Sequence, residues 1–177
     1  MNCSLRELRN LTCYQLGALK ALTQAAGGRV EHANFHGALG NLSFSDAEVA
    51  KTLIDALMSV DEQLKFIGLA HTEAVKAAED AGMEVVYSFL ADRAYMPDGK
   101  LVSRQQPGAV IKDKDEIAER VHQVVSQGQL CAYDGSVIEM PARSILIHSD
   151  TAGAMQLAKV IHDAVIEAGG SIQRYNS

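Results

Sequence analysis

The stretch LKFIGLAHTEAVKAAEDAGMEVVYSFL, residues 64–90, decides the fold. Leu64 to Ala70 is an apolar run of strand length that ends at His71. Thr72 opens a helical pattern running to Ala81, and Gly82 stands where a left-handed residue ends a helix. Met83 to Leu90 is a second apolar run of strand length. Strand, helix and strand in that order give a parallel sheet with helices packed outside it.

The same alternation extends in both directions. Ser4 with Glu7 has the pattern of a capping box, and Leu5, Leu8, Leu11, Leu16, Leu19 and Leu22 recur at helical spacing until Gly27-Gly28. Arg29 to Phe35 is strand-like, and His36 to Asn41 reads as a glycine-bearing turn. Ser45 with Glu48 matches a second capping box, opening a helix to about Ser59. Downstream, Ala91 to Ile111 holds two of the three prolines and the tight-turn signal Pro97-Asp98-Gly99. A loop of that length in a compact domain is functional or mobile. Lys114 to Gln127 is helical, and Gln129 to Tyr133 turns at Asp134-Gly135 into Ser136 to Met140 as a hairpin. Ser144 to His148 is a buried strand, Thr151 starts a helix that ends at Gly169-Gly170, and Ile172 to Tyr175 reads as a last short strand. The apolar stripes of the helices, with Met58, Met155 and Leu157, read as core.

Length and composition bound the architecture. The 177 residues suit a single domain over 1–177. An eight-unit (β/α) barrel takes about 250 residues, so the sheet is either open or part of a barrel. Sixteen Lys and Arg against 22 Asp and Glu give a formal charge of −6 with no basic run, which argues against nucleic acid as a partner. No run approaches the roughly 18 apolar residues of a membrane span, and the N-terminus lacks the pattern of a signal peptide. Cys3, Cys13 and Cys131 have no paired spacing, so they read as reduced thiols of a cytoplasmic protein.

In parallel sheets, sites form where the carboxyl ends of the strands converge. Of the six histidines, His122 and His162 fall inside helices and His32 inside a strand, whereas His36, His71 and His148 each close one. Asp92-Arg93 and Asp150 stand at strand ends too. Each has a plain structural reading: His36 as a turn cap, His71 and His148 as helix starts, Asp92-Arg93 as a surface ion pair. The functional reading gives His36, Asp92, His148 and Asp150 catalytic work, because imidazole beside carboxylate moves protons or holds a divalent metal. Arg93 and Arg104 offer planar forks to an anion, and Gly37, next to Asn34 and His36, lets backbone N–H groups approach one.

Several strings in order carry a resemblance: Tyr14-Gln15-Leu16-Gly17-Ala18-Leu19, His36-Gly37-Ala38-Leu39, Ala91-Asp92-Arg93-Ala94-Tyr95, the run from Gly99 to Ala109, and His148-Ser149-Asp150. Together they resemble the LamB/YcsF family over nearly the whole chain. The resemblance implies a TIM-like (β/α) barrel of the glycoside hydrolase/deacetylase type. It also implies the activity of the 5-oxoprolinase A subunit, the ATP-dependent opening of the cyclic amide 5-oxoproline to glutamate with subunits B and C. It assigns catalysis to His36, Asp92, His148 and Asp150, substrate or phosphate binding to Asn34, Gly37, Arg93 and Arg104, and a divalent metal, where one is used, to His148 and Asp150.

Two departures from the family pattern accompany the resemblance. The strand and the acidic and histidine motifs that open the pattern, about its first third, are not in this sequence, so the barrel is expected to be incomplete. The motif at Asn34 to Gly40 lacks the family's lysine, proline and tyrosine, Ser88 stands where a glutamate is usual, and Ser149 replaces a glycine. Two other readings therefore stay open: an inactive member serving as a binding module, associating through exposed sheet edges, and a divalent-metal amide hydrolase.

Overall fold

A computed structural model describes residues 2–148 and 153–173. The chain is of the α/β class and divides into two compact units, Met1–Val86 and Tyr87–Ser177.

In the first unit, α1 (Leu5–Ala25) begins at the expected capping box: Ser4 Oγ accepts from the Glu7 N–H at 3.3 Å, and the Ser4 N–H donates to the Glu7 carboxylate at 2.8 Å. Its buried face is the i, i+4 row Leu8, Thr12 and Leu16, packed on α3 (Ala47–Val60). The Thr12 hydroxyl donates to the Leu8 carbonyl at 3.0 Å, so this buried polar group is satisfied. Leu11, Leu19 and Leu22 face solvent, which narrows the expected stripe. Leu11 and Leu22 lie roughly 80–100° around the helix from the middle of the buried row, whereas Leu19 falls close to its line, beyond the last buried position.

The expected turn after His36 is instead the helix α2 (Gly37–Ser45). Gly40 is required there for close approach rather than for a turn, since a Cβ on it would meet the Phe35 carbonyl oxygen at 2.8 Å. Ser45 ends this helix, and its hydroxyl bonds the Asn41 carbonyl at 3.4 Å. The cap of α3 is the next residue, Asp46, whose Oδ1 accepts from the Glu48 and Val49 N–H groups at 3.0 Å each. The second capping box is thereby corrected: a carboxylate one position on takes the two free amides that Ser45 was expected to serve.

The quoted stretch folds as expected. β2 (Lys65–Leu69) is followed by α4 (Glu73–Asp80), capped by Thr72, with Gly82 at φ 75° beyond its end. β1 is short (His32–Ala33) and pairs parallel with β2, His32 opposite Lys65 and Ala33 opposite Phe66. Gly68 lets β2 approach α4, because a Cβ there would lie 2.6 Å from both Phe66 and Val75 side chains. The carbonyl of Glu84, just ahead of β3 (Val85–Leu90), accepts from the Phe66 N–H at 2.8 Å.

In the second unit, α5 (Lys114–Gln127) is capped by Asp113 and stops at Gly128, φ 68°. The hairpin forms as β4 (Gln129–Cys131) and β5 (Val137–Glu139), antiparallel with Leu130 opposite Ile138. β6 (Ser144–Leu146) pairs parallel with β3, placing Ser144 opposite Ser88 and Leu146 opposite Leu90. α6 (Ala154–Glu167) packs on α5 through Leu157, Ile161, Ala164 and Val165. Met155 was expected in that core and is 81% exposed, because it lies two positions from Leu157 and so about 200° around the helix. Met58 on α3 is half-buried. Residues 171–173 are not a strand, and Tyr175 and the expected helix start at Thr151 lie outside the described residues.

The hydrogen-bonded strand order is β1-β2-β3-β6. Among the described residues it has two ends and does not close, as an incomplete barrel requires. Among them, too, no helix is long and apolar enough to cross a membrane.

Candidate functional site

The segment after β3 was expected to be a functional or mobile loop, and it is firmly built. Arg93 bridges to Val110 and Tyr95 to Leu101, both antiparallel, around the turn at Gly99 (φ 78°). Ala94, Val102 and Ala109 make a small core beneath it. The Asp92 carbonyl accepts from the Ile111 N–H at 2.9 Å, and the Arg93 N–H donates to the Leu90 carbonyl at 3.2 Å, so both ends of the loop are tied to the strand end.

Arg93 is the centre of this construction. Only 6% exposed, it sends Nε to the Ala109 carbonyl at 3.1 Å and Nη2 to the Val102 carbonyl at 2.8 Å. Its own carbonyl accepts from Arg120 Nη2 of α5 at 2.8 Å. Burial pulls the Arg93 pKa down, the nearby Arg104 charge adds to that, and Asp92 acts in the opposite direction. Two of its five N–H donors therefore hold the loop. Arg104, by contrast, is exposed and presents its fork to solvent.

Sequence reading did not single out Tyr95 or Arg120. The Tyr95 hydroxyl accepts from the Leu90 N–H at 2.9 Å, and its ring stacks on Phe89 with centroids 5.9 Å apart. Burial drives its pKa from 10.0 up to about 12. Arg120 lies three residues after Ile117 and four before Val124, both buried, so a charge on the inward face of α5 was the available signal.

Asp92 and His148 come together in this unit. Asp92 Oδ2 lies 3.4 Å from His148 Nδ1, at the carboxyl ends of the adjacent strands β3 and β6. Asp92 is 8% exposed, and its other oxygen, Oδ1, is buried with no hydrogen-bond partner among the described residues. The buried hydroxyl of Ser88 also lacks a partner among them. An unsatisfied buried acceptor costs about 1–3 kcal/mol, more when charged, so such a group marks a place where a donor is due. With the proton on Nδ1 facing the carboxylate, His148 Nε2 presents a lone pair and can act as a base.

The remaining sequence-based candidates belong to the first unit or lie outside the description. Asn34, His36 and Gly37 are exposed at the end of β1. His36 is the N-terminal flanking residue of α2 but makes no side-chain cap, and Gly37 adopts φ 58°. The first amides of α2 thus have no side-chain acceptor from His36, a setting that suits an anion. His71, at φ 64°, forms the turn from β2 into the Thr72 cap. Asp150 lies outside the described residues.

A resident zinc ion takes three or more protein ligands, and among the described residues no group of three His, Cys, Asp or Glu forms.

The family model for LamB/YcsF proteins matches residues 1–177. The chain is 43% identical over 163 residues to a 5-oxoprolinase A subunit of Bradyrhizobium diazoefficiens, covering 92% of this chain and 64% of that protein. It is 39% identical over 171 residues to the 5-oxoprolinase A subunit of Nitrobacter hamburgensis, covering 97% of this chain and 67% of that one. The chain thus spans about two thirds of the length of these relatives. The crystal structure of the lactam utilization protein from Thermus thermophilus superposes with a TM-score of 0.90 at 31% identity, over 99% of this chain and 70% of that one. The chain belongs to the LamB/YcsF family.

Proposed function

We propose that this chain works as the A subunit of an ATP-dependent 5-oxoprolinase, opening 5-oxoproline to glutamate together with subunits B and C. The observation that carries the reading is the Asp92–His148 pair, at 3.4 Å and with Asp92 nearly buried. The names of the relatives support the substrate and the partners.

The chemistry explains why such a pair is needed. A γ-lactam is a stable amide, so its carbonyl must be activated before water can open the ring. In balanced form, the lactam oxygen takes the terminal phosphoryl group of ATP and ADP leaves. Water adds to the ring carbon while its proton passes to a base. The C–N bond then breaks as the nitrogen gains a proton, and a second water releases phosphate to leave glutamate. His148, oriented by Asp92, takes the proton from water and returns it to the departing nitrogen. Arg104 attracts the anionic parts of the reactants, and Arg93 keeps Asp92 in place. The phosphoryl step is assigned to the assembled complex and to no described residue of this chain. The reaction is placed in the cytoplasm, where ATP is at hand and Cys3, Cys13 and Cys131 stay free.

The test is reconstitution. The chain mixed with subunits B and C, 5-oxoproline and ATP should release glutamate and phosphate one for one, and neither without ATP. Absence of glutamate in the complete mixture would overturn the reading.

A further inference from the structure

Asp92 has one oxygen more than its described neighbours use. Oδ2 faces His148, while Oδ1 is buried without a hydrogen-bond partner. The residue is held where it is. Ile111 holds its carbonyl at 2.9 Å, and the next residue is fixed by its own side chain on Ala109 and Val102 and by Arg120 on its carbonyl. An ionised carboxylate oxygen only accepts, so the group that completes it must bring an N–H or O–H.

At neutral pH 5-oxoproline has one such donor. Its carboxylate and its ring carbonyl are acceptors, and the ring nitrogen alone carries a hydrogen. We infer, resting on the reading of this chain as part of a 5-oxoprolinase, that Asp92 Oδ1 accepts the ring N–H of the lactam. The carboxylate then has a job at each oxygen: Oδ2 orients His148, and Oδ1 brings the scissile C–N bond beside it. After ring opening the same oxygen faces the newly formed amine, a stronger donor once protonated. Asp92 is on this account the residue that separates lactams from ring compounds of the same shape without N–H, because a buried acceptor facing a methylene stays unpaired.

The experiment compares 5-oxoproline with 3-oxocyclopentane-1-carboxylate, in which a methylene replaces the N–H. Binding of each to the chain complexed with subunits B and C is measured by calorimetry without ATP, so that nothing turns over. The expected result is binding of 5-oxoproline about ten- to a hundredfold tighter, with the gap narrowed to about threefold or less by Asp92→Ala. N-methyl-5-oxoproline on the unmodified complex repeats the comparison without relying on a variant that must fold, and should bind as weakly as the carbocycle. Equal binding of the compounds, binding of neither, or an unchanged gap in a folded Asp92→Ala protein overturns the inference. Glutamate formation with ATP in the same preparation separates the two claims. Glutamate with equal binding removes only the N–H assignment, and no glutamate removes the function itself.

Discussion

Replacing Arg93 with alanine should destabilise the chain by about 2–3 kcal/mol. The figure follows from the two bonds to loop carbonyls, at 3.1 and 2.8 Å, since hydrogen bonds from a charged donor contribute about 1.5–3 kcal/mol each. The losses differ at the two acceptors. The Ala109 carbonyl keeps the Ala94 N–H at 3.1 Å, whereas the Val102 carbonyl has no other described donor. Against the gross loss stands relief of a desolvated cation, whose lowered pKa records what burial costs it. Arg93→Lys keeps the charge but replaces the fork with a point donor that serves one carbonyl at a time, so about 1–2 kcal/mol should go. Urea unfolding at neutral pH reads both values, with an unchanged m-value as the sign that only stability moved. Amide exchange should quicken at Ala94, Val102 and Ile111, whose N–H groups hold the loop together. If Arg93→Ala falls within about 0.5 kcal/mol of the parent, Arg93 does not clamp the loop and its guanidinium is free for an anion.

Other consequences are open to direct measurement. Tyr95 keeps its proton longer in the folded chain than in the unfolded one, with a pKa raised from 10.0 to about 12. Its contribution is therefore whole below pH 10 and is lost between pH 10 and 12, by about 1.4 kcal/mol per unit. Tyr95→Phe should remove that slope in pH-dependent unfolding and, by stripping the Leu90 N–H of its acceptor, cost about 1–3 kcal/mol at neutral pH. Asp46→Ala should cost about 1 kcal/mol in urea unfolding while Ser45→Ala stays within about 0.5, since the carboxylate and not the hydroxyl caps α3. Gly68→Ala should lower stability by about 1–3 kcal/mol, its methyl group falling 2.6 Å from Phe66 and Val75. A thermal unfolding curve unmoved by this change would mean that β2 and α4 are looser than drawn.

What the sequence revealed, and what it hid, follows from the range of the interactions. The Ser4–Glu7 box, the Thr72 cap, the Asp134-Gly135 hairpin and the strand–helix–strand run over 64–90 are local, and each formed where the residues promised. Ser45 misled because it and Asp46 both suit a cap, and only the geometry of the α2 end chooses between them. Gly37 and Gly40 looked like a turn, yet the second is a glycine to clear the Phe35 carbonyl, a contact that no spacing encodes. The site shows the same division. Strand-end placement picked out Asp92 and His148, which do meet. That Arg93 would be buried and turned onto Val102 and Ala109 was hidden, because an Asp-Arg pair at a strand end reads as a surface ion pair. Arg120 reaches it from 27 positions away, beyond any local pattern.

The most direct test concerns His148. In the chain reconstituted with subunits B and C, ATP-dependent glutamate formation from 5-oxoproline should fall about 10²- to 10⁴-fold on His148→Ala, the loss expected of a general base. The unfolding midpoint should hardly move, because the ring is half-buried and its described bond is a single 3.4 Å contact. A folded His148→Ala protein that makes glutamate at the parent rate would contradict the account at its centre.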